Sequence, residues 1–188
     1  MLKLLIAFLL LSLSLSTNQN IDTTYQAKGI NEQNNIDSLS EYTNRQNTIC
    51  RMASNVVHKA KELTMNLNND SDKAKALFNF VKDKINNVSY DNSLRGASKT
   101  LSLWGGNSSD KTNLLVAMCR AVNIPVRYAY GKCKFKDGTE SVHVWAQILI
   151  DNCWCVADTS SKDNRIGTIT NWDYKHYKLT AQTSLLSF

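Results

Sequence analysis

The stretch that decides the fold is residues 142–158, which read VHVWAQILIDNCWCVAD. Apolar residues on both sides of Asp151-Asn152 predict two antiparallel strands, because these two residues tolerate the positive φ angles of a two-residue hairpin. If the residues that flank this turn are paired, Trp145 opposes Asp158, and His143 lies diagonal to Asp158 on the same face. A lone strand histidine is usually structural. The carboxylate beside it makes a functional His–Asp pair an equally good interpretation.

The residues before this hairpin have the periodicity of helices. Apolar side chains recur every three or four residues over 49–67, 74–85 and 114–122, which predicts three helices. The third should end at Asn123, a residue that tolerates the left-handed conformation. A further strand is predicted at 126–130. Helices that precede strands indicate an α+β domain, with N-terminal helices packed on an antiparallel sheet.

The N-terminal residues have the composition of an export signal. Lys3 precedes an apolar run over residues 4–11 and small residues follow, so residues 1–16 predict a secretory signal peptide. Residues 17–47 are polar and aperiodic, which is typical of a flexible arm, and residues 48–188 then form the globular domain. We therefore expect a secreted or cell-surface protein. An uncleaved membrane anchor is the less favoured alternative, because the run is shorter than the roughly 20 residues of a spanning helix.

Composition narrows the range of partners. The 188 residues carry a net charge of +6 and include one proline and seven glycines, which excludes collagen-like and proline-rich disordered chains. No dense basic stripe with interleaved aromatics is present, so nucleic acid is not an expected partner. The net positive charge fits a surface that meets an acidic polymer, such as a cell-wall peptide, equally well. The three histidines are scattered and Cys153-x-Cys155 lacks further ligands, so neither metal nor other cofactor is expected.

None of the five cysteines lies where a nucleophile for His143 is expected. Cys153 and Cys155 alternate with the residues on the His143 face, so they point away from it. The others are predicted in the core of the third helix, at the start of the first helix and near a hairpin tip: Cys119, Cys50 and Cys133. Disulfide pairing and oligomeric state are left open.

Residues 72–172 resemble the transglutaminase-like domain, which has a papain-like thiol-hydrolase fold, and they are most similar to the pseudomurein endoisopeptidases of archaeal cell walls. The motifs that carry the resemblance are SDKA at 71–74, RGA at 95–97, GNSSD at 106–110, TNLL at 112–115, RA at 120–121, IPVRY at 124–128, GKCKF at 131–135, HVWAQ at 143–147, W at 154, ADTS at 157–160, NRIG at 164–167 and NW at 171–172.

The resemblance implies a Cys-His-Asp triad whose last two members are His143 and Asp158. The family's cysteine lies two residues before an aspartate and fifteen before the glycine of a Gly-Ile-Pro motif. Counting back from Asp110, and from Asn123, which replaces that glycine, leads to Ser108 in both cases. The nucleophile position therefore holds serine, which fits an inactivated variant, a degenerate natural member or a natural serine hydrolase.

The two main hypotheses for function differ in whether Ser108 reacts. In the first, the protein hydrolyses amide or isopeptide bonds of pseudomurein-type wall peptides, with His143 as base and Asp158 as the residue that orients it. In the second, it is an impaired or inactive pseudoenzyme that binds wall peptides. Transfer to amine acceptors is less favoured, because no residue identifies an amine site.

Overall fold

The structure is a computed structural model that describes residues 36–90, 95–174 and 176–186. Within these ranges the helices are α1 (Ile36–Asn44), α2 (Ser54–Thr64), α3 (Asp70–Lys84), α4 (Gly96–Leu103) and α5 (Ser108–Ala121). The strands are β1 (Asn86–Asn87), β2 (Gly105–Gly106), β3 (Val126–Lys134), β4 (Glu140–Ile150), β5 (Cys153–Ala157) and β6 (Lys178–Thr183). The predicted signal peptide and the first part of the predicted arm lie outside the described residues.

The β4–β5 hairpin has the predicted register. Leu149 pairs with Trp154, and Ile150 pairs with Cys153 across the turn. Asp151 and Asn152 have φ angles of 50° and 62°, the left-handed values that a two-residue hairpin requires. β5 ends at Ala157, so Asp158 is the first residue beyond the ladder.

The order of the four-stranded sheet is β5-β4-β3-β6, and all its pairs are antiparallel. One face packs against the helices in a core that includes Leu114, Met118 and Ile148. The other face packs under the loop after β5, in a smaller core around Trp145 and Trp172. The predicted α+β fold, with helices on an antiparallel sheet, is therefore confirmed.

α2 is shorter than the predicted first helix, which began at Ile49. The side chain of Asn47 accepts hydrogen bonds from the amides of Ile49 and Cys50, at 3.2 and 3.1 Å, so these amides are held in a turn before the helix. Cys50 consequently precedes α2 instead of opening it, and it is buried. α3 agrees better with its prediction, with Asn69 as the N-cap that accepts from the Asp72 amide.

Two helices were not predicted from the sequence. The eight residues of α4 are too few to show a clear period. α1 lies inside the predicted arm 17–47. Its C-terminal carbonyls accept hydrogen bonds from Arg120, a partner that is distant in sequence. No helix in the described part of the chain is long and apolar enough to span a membrane.

Candidate active site

Ser108 is the first residue of α5, and the residues before it fix where this helix begins. The Asn107 side chain caps the helix by accepting a 2.9 Å hydrogen bond from the Asp110 amide. A Cβ atom on Gly106 would lie 2.7 Å from Asp110 Cβ, so glycine permits this close approach. The first amides of a helix have no partner within it, so those of Ser108 and Ser109 can donate to an incoming oxygen.

Asp110 ties the start of α5 to α4. Its buried carboxylate accepts hydrogen bonds from the amides of Arg95 and Gly96 and from the Tyr90 hydroxyl. Burial raises the pKa of Asp110, although the backbone bonds oppose that effect. The amide of Asn107 in turn donates to the Tyr90 hydroxyl at 3.2 Å. These contacts hold the candidate nucleophile position from the side of α4.

His143 and Asp158 form the predicted pair. His143 Nε2 lies 2.9 Å from Asp158 Oδ2, and the two side chains are 6% and 1% exposed. The imidazole ring is enclosed by the aromatic rings of Phe135, Trp145 and Trp172, with centroids 5.4–6.2 Å away. Since Nε2 is engaged by the carboxylate, Nδ1 is the ring nitrogen left to accept a proton.

Asp158 is held by three hydrogen bonds. Besides His143, Trp172 Nε1 donates to Oδ2 at 2.7 Å and the Ser160 amide donates to Oδ1 at 2.9 Å. Burial by itself would raise the pKa of Asp158, but the bonds from His143, Trp172 and Ser160 outweigh it and hold the pKa below its usual value. The carboxylate therefore stays ionised in a dry site.

Thr112 brings the start of α5 beside β4. Its hydroxyl lies 3.0 Å from the Ser108 carbonyl oxygen and 3.4 Å from the carbonyl oxygen of Val144, the neighbour of His143. Among the described residues, no hydrogen bond joins the Ser108 hydroxyl to His143. A hydrogen bond therefore joins His143 and Asp158, two of the three predicted site residues. The third, Ser108, lies at the start of α5, which contacts the strand of His143 through Thr112.

The architecture has a counterpart among known families. The profile of the transglutaminase-like superfamily matches residues 57–159, more than half of the chain. The chain belongs to the transglutaminase-like superfamily. The matched region ends one residue after Asp158, so it contains Ser108, His143 and Asp158.

Solved structures share the fold of this transglutaminase-like domain. A candidate cysteine protease from Cytophaga hutchinsonii superposes with a TM-score of 0.65 at 19% identity, over 81% of this chain and 48% of that chain. A candidate protease from Parabacteroides distasonis ATCC 8503 gives a TM-score of 0.50 at 15% identity, over 69% and 27%. The chain spans less than half the length of either protein, and at these identities the likeness concerns the fold alone. No curated protein matches the chain significantly.

The residues that support the His143–Asp158 pair were not predicted as site residues from the sequence. Asn164 is buried, donates to the Asp158 carbonyl at 3.0 Å and to the Asn171 side chain at 2.8 Å, and accepts from the Thr170 amide. These hydrogen bonds therefore hold the loop after β5, which carries Asp158, in place. Trp172 is buried in the core and its indole nitrogen also donates a hydrogen bond to Asp158. Asn164 and Trp172 both belong to motifs that carry the family resemblance, and those motifs were the sequence signal from which their role could have been predicted.

An open groove of about 340 Å³ lies near the loop after Asp158, and Ser108, His143 and Asp158 are not among the residues that line it. Phe135 lines the groove and also contacts the His143 ring, while Ser161 and Asn171 line it from the loop after Asp158. Trp104, three residues before Asn107 in the sequence, is 47% exposed.

The five cysteines are free thiols, and none is bonded to His143. Burial raises the pKa of Cys119 to about 12, and burial together with the charge of Asp158 does the same for Cys133. Burial raises that of Cys155 to about 11. These thiols therefore stay protonated at neutral pH. The described residues contain no cluster of three or more potential metal ligands.

Proposed function

We propose that this transglutaminase-like domain is a secreted hydrolase of amide or isopeptide bonds in cell-wall peptides of the pseudomurein type. Ser108 is the nucleophile, His143 the general base and Asp158 the residue that orients the imidazole. The observation that carries the proposal is the 2.9 Å bond between His143 Nε2 and the buried Asp158 carboxylate. The secreted location and the wall substrate rest on the export-like N-terminus and on the motif resemblance.

The geometry supports acyl transfer in two steps. Ser108 Oγ attacks the substrate carbonyl carbon while its proton passes to His143 Nδ1, and the carbonyl oxygen takes up the negative charge beside the first amides of α5. The C–N bond then breaks as His143 returns the proton to the leaving amine. Water repeats the same sequence on the ester to release the acid and restore the serine.

Serine at this position lowers the expected rate. A thiol at a helix N-terminus is readily ionised beside histidine, whereas a serine hydroxyl must lose its proton during the attack itself. Replacing Ser108 by cysteine should therefore raise turnover, by on the order of 100-fold or more.

Release of soluble peptides from purified pseudomurein tests the assignment. Native chain, Ser108→Cys, Ser108→Ala and the double variant Ser108→Cys with His143→Ala are compared at equal concentration. We expect slow release by the native chain, faster release by the cysteine variant, and none by the other two. Absence of release by both native chain and Ser108→Cys would overturn the proposal.

A peptide-binding pseudoenzyme is the second candidate function. The observation that favours it is the missing hydrogen bond between the Ser108 hydroxyl and His143 in the described residues, although apo sites often tighten only with substrate. Such a protein should co-sediment with wall fragments without releasing peptide from them. Retention on pseudomurein with no fragment release, in native and Ser108→Cys chains alike, identifies this alternative.

A further inference from the structure

Lys111 is a buried ammonium in the first turn of α5, three residues after Ser108. It is only 1% exposed, although lysine is among the residues that are least often buried. No carboxylate of the described residues lies within ion-pairing distance of it. An unpaired buried cation destabilises a fold, so its position calls for a reason.

The hydrogen bonds of Lys111 lead from α5 to Asp158. Lys111 Nζ donates to Asn87 Oδ1 at 3.0 Å and, more weakly, to the Lys82 carbonyl in the last turn of α3 at 3.4 Å. Asn87 Nδ2 donates to the Ser160 carbonyl at 3.1 Å, and the Ser160 amide donates to Asp158 Oδ1. Two intervening residues therefore connect the lysine to the carboxylate.

The charges around Lys111 favour an interaction with Asp158. The pKa of Lys111 is lowered to about 8, mainly by burial and to a smaller extent by the charges of Lys162 and Lys82. Asp158 and Asp83 oppose this, with Asp158 having the larger effect. Electrostatic coupling is mutual, so a charge on Lys111 favours the ionised form of Asp158 to the same extent.

We propose that Lys111 is a positioning residue for the His143–Asp158 pair: it fastens the loop after Asp158 to α5 and adds a positive charge to the hydrogen-bonded surroundings of this carboxylate. The proposal rests on the proposed function in one respect, namely that His143 and Asp158 form the reacting pair. A lysine that served only to cap α3 would stabilise the fold without affecting Asp158.

Proton titration of the native full chain, followed by NMR, tests the coupling directly. The side-chain carboxyl carbon of Asp158 and the Cε and Nζ signals of Lys111 are recorded between pH 3 and pH 10. We expect the Asp158 signal to show a second inflection at the Lys111 midpoint. Absence of that inflection in the native chain would overturn the proposal.

Variants separate the charge from the fold. In Lys111→Met the second inflection should vanish and the Asp158 midpoint should rise by about 1 pH unit, because a neighbouring positive charge is lost. Lys111→Arg should restore a low Asp158 midpoint. Lys61→Met, which removes an exposed lysine of α2, is the control and should leave the midpoint unchanged. An unchanged Asp158 midpoint in folded Lys111→Met contradicts the proposal.

The titration requires no turnover, so its result is independent of the wall-hydrolysis assay. Coupled signals in a chain that releases no peptide, even as Ser108→Cys, support the role of Lys111 and reject the proposed function. Peptide release with uncoupled signals supports the proposed function and rejects the role of Lys111. If Lys111→Met does not fold, the titration of the native chain still decides the question.

Discussion

Asp158 is the residue on which the candidate site depends most, because both of its carboxylate oxygens are occupied. Oδ2 accepts from His143 and Trp172, and Oδ1 accepts from the Ser160 amide. The His143 contact could be predicted from the hairpin register. The other two could not, since they come from an irregular loop whose path no periodicity describes.

Removing the hydrogen bond from Trp172 should show how the free energy of unfolding depends on the charge of Asp158. In Trp172→Phe a hydrogen bond to a charged group is lost, so the free energy of unfolding should fall by about 1.5–3 kcal/mol at pH 7. The pKa of Asp158 is depressed in the folded state. Stability from its bonds is therefore complete above the unfolded pKa of about 3.9 and is lost as pH falls through the lower folded pKa.

The measurement is urea unfolding of native chain and variant between pH 2.5 and pH 7. The difference in unfolding free energy should be largest at neutral pH and shrink at the acid end. Trp104→Phe is the matched control, because it replaces an indole that is exposed and does not bond Asp158. A deficit that stays the same at every pH would show that packing of the indole, not its bond to the carboxylate, matters.

At the scale of elements, sequence predicted those parts of the fold that have a strong local signal. The β4–β5 register followed from two turn residues, and α3 and the second half of α5 followed from a regular apolar period, whereas the start of α5 and its Asn107 cap did not. α4 and β6 were not predicted, because each is short and is stabilised by distant partners. The same is true of the loop carrying Asn164, so the supporting part of the site escaped prediction.

Gly106 determines how closely α5 approaches α4 at the nucleophile position. In Gly106→Ala the new Cβ would lie 2.7 Å from Asp110 Cβ, so the start of α5 must move. We expect a loss of about 1–3 kcal/mol in unfolding free energy. Turnover of wall peptide by the Ser108→Cys chain should also fall, by 10-fold or more, since a small displacement of a reacting group is costly.

Gly138→Ala is the matched control for this prediction. Gly138 has φ +86° and open space around it, so alanine there strains the backbone without displacing α5. It should lower stability and leave turnover per folded molecule unchanged. Equal loss of turnover in both variants would contradict the role assigned to Gly106.

At the scale of the whole molecule, Arg120 is a junction between distant segments. Its buried guanidinium donates to carbonyl oxygens of Tyr42 and Arg45 near α1, of Val126 in β3 and of Ser184 after β6. The planar guanidinium has five N–H donors, so one side chain can satisfy several carbonyls at once.

Arg120→Lys tests this junction while conserving charge. An ammonium cannot reach all these carbonyls, so at least two buried acceptors should be left unsatisfied and unfolding free energy should fall by about 2–5 kcal/mol. Limited proteolysis should then cleave faster between residues 36 and 50. Arg165→Lys, at an exposed arginine, is the control. Equal stability and equal cleavage in the two variants would contradict this assignment.

The position of Arg120 along α5 also places both ends of the described residues relative to Ser108. Ser108 and Arg120 are twelve residues apart, which is about 18 Å along a helix axis. Residues 42–45 and residue 184, which lie close to the two ends of the described chain, both meet at Arg120. Near both ends of the described residues, the chain therefore passes through the part of the molecule that is remote from the candidate nucleophile position.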